Sequence, residues 1–392
     1  MLPVQPSLVD KQMRCKTASC LVRAALAALV VIAAAAPAAA AVRALLLVVH
    51  FTFPQSPLQP LEIVTGPPVV TEMEFLSTSG RNVSADLYLP AGNKVRRAAV
   101  LYCPLASMGI KDPYIVRIAE GLARSGTATL VPKAQRSPGE PPLDTGDTED
   151  VISSVRCLQE QPSVNGIKVG LMGISYGSSP VLRAASRPEL AGRVECVFSL
   201  GGCFDLKNVL KYAVTGNFEY GSTSGTQKPR EYVRTVLIKT ILAELKGTGF
   251  FSEYAQHPEK LFLNNREVPG DVPAEAAALL RLISARDSVS FENEYRRLPH
   301  RVRRKFAALS PYPVLGNIHT RVILLHSQDD PYIPFTESMR LYDSLRGRVP
   351  VTLGVFDILD HTVPKEITWE NLVSSYIPGL YHMVKAAYFL LD

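Results

Sequence analysis

The chain has no Cys-x-x-Cys or His-x-x-x-His pair, so the close ligand spacings that announce a structural zinc are missing. It has no internal repeat either, which excludes an array built from copies of one small unit. A basic excess suited to nucleic acid is also lacking. The formal charge is +6, but Lys11, Arg14, Lys16, Arg23 and Arg43 against a lone Asp10 place most of it in the first fifty residues. What is present is a globular composition. Of 392 residues, 47% are hydrophobic and 20% charged, enough to bury a large core in one big domain or two smaller ones.

The N-terminus carries the localisation signal. Ala24 to Val42 holds no charge and follows the basic segment, and "APAAAA" (Ala36 to Ala41) offers several Ala-x-Ala cleavage sites. A cleaved signal peptide and a retained signal anchor both fit, and both send the bulk of the chain across a membrane. Cleavage near Ala41 leaves "VRALLLVVHFTF" as an exposed apolar start, which favours the anchor and a membrane association through residues 24–53. Arg43 weighs the other way, because it must lie near the membrane surface. Of six cysteines, Cys103, Cys157, Cys196 and Cys203 fall on the exported part, where they allow one or two disulfides or act as small buried hydrophobes. Asn82-Val83-Ser84 is a glycosylation sequon.

Residues 54–68 contain five prolines and read as an extended linker, with a folded domain from Val69 onward. "VVTEMEFLST" and "VSADLYLP" read as an opening hairpin around "SGRN". Apolar runs and helical patterns then alternate: "AAVLYCP", "DPYIVRIAEGLARSG", "TATLVP", "DTEDVISSVRCLQEQP", "IKVGLMGI", "SSPVLRAASRPEL" and "RVECVFSLGG". The rhythm resumes with "RVILLHS", "FTESMRLYDSLRG" and "VPVTLGVFD". Near-continuously apolar strands between helices predict a mostly parallel α/β sheet with helices on both faces. Between Phe204 and His319 the strands stop and amphipathic helices appear, a helical cap insertion whose basic run from Arg296 to Lys305 reads as a solvated face.

In "IKVGLMGISYGSSPVL", Ser175 ends a predicted strand and opens a helix between Gly173 and Gly177. Small residues permit the sharp turn, and the following helix aims its free N–H groups at any anion formed there. A serine hydroxyl needs a base, and the base needs an orienting carboxylate. Among seven histidines only His361, in "FDILDHTVP", occupies a loop just after a predicted strand. Asp330 in "LLHSQDDPYIP" ends another strand; Asp329 and Asp205 are alternatives, and Asp360 reads as a loop-solvating group.

At these residues the chain resembles the α/β-hydrolase superfamily, over roughly residues 70–203 and 310–392. The order Ser175, Asp330, His361, the 31-residue separation of the last two, and Pro334 four residues after the acid carry the likeness. "ADLYLPAG" and "TATLVPKAQRSPGE" look most like the dienelactone-hydrolase and prolyl-oligopeptidase-like esterase branch. The resemblance implies a serine esterase with an acyl-enzyme, a small-molecule ester or acyl substrate, and no metal or organic cofactor. A peptidase or thioesterase with the same triad, and an inactive membrane-tethered binding module, stay open beside it. One departure stands out: "CPLASMG" (Cys103 to Gly109) replaces the His-Gly usual after the third strand. The oxyanion then falls to the backbone N–H of Tyr176 and of Leu105 or its neighbour Ala106, since Pro104 has none to give.

Overall fold

The computed structural model describes residues 38–105, 109–134, 140–245, 272–361, 363–366 and 368–391. Eight strands form the central sheet: β1 (Val69–Leu76), β2 (Asn82–Leu89), β3 (Arg97–Tyr102), β4 (Thr127–Ala134), β5 (Val169–Ile174), β6 (Val194–Leu200), β7 (Arg321–Ser327) and β8 (Val351–Phe356). Their order is β1-β2-β4-β3-β5-β6-β7-β8. Only the pairs β1–β2 and β2–β4 are antiparallel; from β4 to β8 the sheet is parallel. This is the mostly parallel sheet that the alternation of apolar runs and helical patterns leads one to expect.

Period-two alternation assigns the two faces. Ala99, Leu101, Met172, Ile174, Ile323 and Leu325 enter one core, and Ala98, Val100, Leu171, Val322 and Leu324 the other. The second core is closed by α3 (Gly146–Gln159), α4 (Ser178–Ala185) and α10 (Thr336–Leu345). The first is closed by α2 (Pro113–Arg124), α11 (Ile377–Leu391) and α1 (Ala38–Thr52).

Helix α1 is packed into this core and is not an exposed apolar start. Ala44, Leu45, Leu47, Val48, Val49 and Phe51 are buried against α2 and α11, and His50 is fully enclosed. Burial first, then the Arg117 charge, lowers the His50 pKa to about 4, so the ring is neutral near pH 7. The approach to α2 is close because residue 121 is glycine: a Cβ there would stand 2.7 Å from Leu47 Cδ1 and 3.0 Å from His50 Cδ2. No helix among the described residues is long and apolar enough to cross a membrane. The part of the leader before residue 38 lies outside the described residues.

Residues 54–68 are likewise not an extended tether. They contain a helical turn, Pro60–Val64, and are strapped to α2. Gln59 Nε2 donates to the Phe53 carbonyl at 2.9 Å, Arg117 Nη2 donates to Gln59 Oε1 at 2.8 Å, and Arg124 Nη1 reaches the Thr65 and Gly66 carbonyls at 3.1 Å each.

Between β6 and β7 stand α5 (Leu206–Thr215), a small hairpin (Asn217–Tyr220 with Thr223–Thr226), α6 (Glu231–Glu244), α7 (Ala274–Ile283), α8 (Ser288–Arg297) and α9 (His300–Leu309). They share a core of their own that also takes in Leu143, Tyr176 and Ile333 from beneath. Pro299, which lacks an N–H, separates α8 from α9. Three of the six cations of the basic run pair with carboxylates: Arg297 with Glu294 at 2.6 Å, Lys305 with Asp144 at 3.0 Å, and Arg301 with Glu275.

Glu337 on α10 fastens the root of this layer. Its Oε2 accepts from the N–H of Phe204 (3.0 Å) and Asp205 (2.8 Å), and its Oε1 accepts from Asn208 Nδ2 (3.0 Å). Burial raises its pKa to about 7 despite these donors, with the Asp205 charge adding to the rise.

If α1 is part of the core, Leu45→Ala lowers the unfolding free energy by about 2–5 kcal/mol, the usual cost of a buried leucine. Urea denaturation of the purified protein measures it. A detachable leader would give no change.

Candidate active site

Ser175 sits where β5 ends at Ile174 and a short 3-10 turn, Ser175–Gly177, leads into α4. Its φ is +56°, a left-handed conformation that a serine adopts only when its surroundings impose it. Two close approaches impose it here. A Cβ on Gly173 would overlap Ser178 Cα, and one on Gly177 would overlap the Tyr102 carbonyl at the end of β3. Any residue but glycine at either place pushes the turn off the sheet.

Tyr176, the next residue, is buried, and its hydroxyl donates to Asp147 Oδ2 at 3.1 Å. Arg81 in the β1–β2 turn holds that carboxylate at 3.2 Å and Asp150 at 2.7 Å. The side chain that follows the serine is thus anchored to the first turn of α3, which fixes the direction of its backbone. Leu105 lines the same cavity as Ser175 and accepts a bond from the Tyr232 hydroxyl at its carbonyl, 3.3 Å. Ala106, the alternative for the oxyanion, lies outside the described residues.

Asp330 and His361 are brought together. His361 Nδ1 lies 2.6 Å from Asp330 Oδ2, while Asp330 Oδ1 accepts the N–H groups of Tyr332 (2.8 Å) and Ile333 (3.0 Å). The acid is fully buried. Burial alone would raise its pKa, but the His361 charge and hydrogen bonds from both His326 and His361 outweigh it and hold the carboxyl well below its usual range. His361 has φ +59° and stacks against the Tyr332 ring at 4.6 Å between centroids, so its plane is held from one side. Ser175 and His361 both line a cavity of about 440 Å³. Among the described residues the Ser175 hydroxyl makes no hydrogen bond to His361; such bonds often close only when substrate is bound.

The remaining carboxylates lie elsewhere. Asp205 caps α5, accepting the Lys207 N–H at 2.9 Å and the Ser310 hydroxyl at 3.3 Å. Asp329 is exposed and pairs with Lys365 at 3.3 Å, and Asp360 pairs with Arg230 at 3.2 Å. Cys103, Cys157, Cys196 and Cys203 form no disulfide, which leaves the other reading, that of small buried hydrophobes. Three of the four are buried and pack as small hydrophobes.

Two contributors escape a reading of the sequence. His326, inside β7, places Nε2 at 2.9 Å from the Ile333 carbonyl and 3.4 Å from Asp330 Oδ2, while Nδ1 takes the Ser338 hydroxyl at 2.7 Å. It therefore backs the acid from the strand side. Gly201 follows β6 with φ +60°; a Cβ there would meet His361 Cε1 at 3.1 Å and Asp330 Oδ2 at 3.2 Å. The pair "GG" after an apolar strand was the signal for the second. A histidine four residues before an acid is too common to mark the first.

No protein-family model matches the chain. It is similar to an uncharacterised 31.7 kDa protein of the traX-finO intergenic region of Escherichia coli, 26% identical over 225 residues, 52% of this chain and 76% of that one. Solved structures with a similar shape include an esterase of Pyrococcus furiosus (TM-score 0.46, 13% identity, 78% of this chain and 87% of that one). An acylaminoacyl peptidase of Pyrococcus horikoshii (0.43, 15%, 82% and 40%) and a puromycin hydrolase (0.45, 13%, 82% and 38%) are others.

The depressed acid gives a pH signature. A carboxyl whose pKa is lower in the folded state contributes stability above its unfolded value, about 4, and loses it as the pH falls below that. Wild type should lose unfolding free energy from about pH 5 downward. In Asp330→Asn that acid-side slope should be shallower, as read from urea midpoints across the range.

Proposed function

We propose that the protein is a serine hydrolase that cleaves a carboxylic ester through an acyl-enzyme. The observation that carries this reading is the 2.6 Å bond between Asp330 and His361, whose ring opens on the cavity that Ser175 lines. With Nδ1–H committed to Asp330, the other ring nitrogen, Nε2, is left to act as the base. Ser175 Oγ attacks the ester carbonyl carbon while its proton passes to His361 Nε2. The oxyanion is received by the backbone N–H groups of Tyr176 and Leu105. Collapse expels the alcohol, which takes the proton from Nε2. Water then repeats the cycle on the acyl-serine and releases the acid. None of these steps calls on a metal or organic cofactor.

The lining supports an apolar ester. Ile115, Ile118, Leu206, Val236 and Leu237 face the cavity, and the one carboxylate among its described lining residues, Asp112, caps α2 by accepting the Tyr114 N–H at 3.1 Å. No lysine or arginine lies among the described lining residues to receive a charged substrate. A thioester or peptide bond uses the same triad, and the choice among them rests on this apolar lining.

Export belongs to the same proposal. With Ala40 and Ala41 buried in α1, cleavage near Ala41 would cut into a packed helix. The uncharged stretch before that helix, Ala24 to Pro37, is shorter than the roughly 20 residues of a spanning helix and suits a signal-peptide core. We infer removal of a leader at or before Ala38, with the product on the extracytoplasmic side.

Fluorophosphonate labelling tests the chemistry. Wild type should take the label on Ser175, and Ser175→Ala should take none. His361→Ala and Asp330→Asn should lower kcat/KM on p-nitrophenyl esters by about 10³-fold or more. A folded wild-type protein that takes no label is a binding module. N-terminal sequencing of the exported protein tests the leader: a first residue at or before Ala38 agrees, and an intact Met1 overturns its removal.

A further inference from the structure

A second cavity of about 80 Å³ lies under α1, bounded by apolar side chains of α1, α2, α11 and the sheet, among them Leu47, Phe51, Met172, Met383 and Ala387. Two residues line both this cavity and the catalytic one: Ile118 on α2 and Ile174, the residue before Ser175. They form a shared wall. Helix α2 runs past both spaces, presenting Tyr114, Ile115 and Ile118 to the first, and Ile118 and Leu122 to the second. These positions, spaced by three and four, make one stripe about 12 Å long on the helix surface.

The walls of this space are almost wholly apolar, so an unbranched chain entering it buries methylenes and gains dispersion contacts along its length. We propose that the two cavities are halves of one channel for the unbranched acyl chain of the ester, and that Ile118 is the partition setting how long a chain is accepted. The proposal rests on the serine-hydrolase reading. Ile174 cannot serve as the adjustable element, because it is joined directly to the strained serine. Ile118 sits on a separate helix and can change size without moving the turn. The far half of the channel is walled by the helix that precedes the sheet, which gives residues 47–51 a part in substrate choice.

The test compares p-nitrophenyl butyrate, octanoate and dodecanoate on wild type, Ile118→Ala, Ile118→Phe and the double variant Ile118→Ala/Ala387→Leu. Ala387 lines only the second cavity, so leucine there fills the extension without touching the catalytic space. Opening the partition should raise the dodecanoate-to-butyrate ratio of kcat/KM at least ~10-fold, the scale of adding or removing methylene-sized space in an apolar pocket. Phenylalanine should lower the ratio, and the double variant should return it to the wild-type value. Short-chain and long-chain alkyl fluorophosphonates, followed by their rates of reaction with Ser175, read the same preference and report that each variant is folded and armed.

A ratio that does not move in Ile118→Ala while Ser175 still labels overturns the channel and leaves the hydrolase standing. So does a gain that survives in the double variant. A gain seen with decyl acetate but not with p-nitrophenyl dodecanoate assigns the apolar space to the alcohol and overturns the acyl assignment. Wild type that neither turns over any ester nor takes label removes both proposals together.

Discussion

The C-terminal edge of the sheet depends on one contact between backbones, that of Gly177 on the Tyr102 carbonyl. It brings the turn after β5 directly against the loop after β3, with no side chain between them. Because the two strands are hydrogen-bonded neighbours, the approach is as close as a parallel sheet allows. The left-handed φ of Ser175 is the conformational cost, on the order of 1–3 kcal/mol, carried by a core that over-determines the turn. In return the serine and the residue after it line the cavity that Leu105 also borders.

A comparable constraint holds the other half of the site. Asp330 loses its hydration completely, which only a full set of donors can offset. Two backbone N–H groups and His361 supply them, with His326 close behind, and the Tyr212 hydroxyl from α5 bonds the acid's own carbonyl at 3.2 Å. Glu337 then ties the start of α5 to α10. The cap layer and the acid loop are therefore parts of one hydrogen-bonded assembly, and the histidine is held by groups drawn from the sheet and the insertion alike.

Much of this could be read from the chain alone. Unbroken apolar strands between helical periods fix the sheet, and glycines on either side of Ser175 mark the turn because backbone proximity leaves no alternative. Asp330 and His361 were legible from their places at strand ends. His326 was not, since a strand histidine looks the same whether it packs or supports an acid. The largest error concerned α1. An uncharged run after basic residues carries a targeting pattern, and hydropathy does not say whether such a run meets lipid or the bare face of a sheet. Gly121 was a clue to the second answer, but its meaning depends on knowing what lies against it.

Helix α1 and helix α11 lie side by side, although more than three hundred residues separate them in the chain. The face of the sheet they cover is completed by the first helix described and the last. That face therefore cannot close until α11 has been made, and until then α1 has α2 but not α11 to cover its leucines and valines. Such long-range closure is slow and leaves apolar surface open to association. The same packing that makes α1 part of the finished core leaves that face the last part of the core to close.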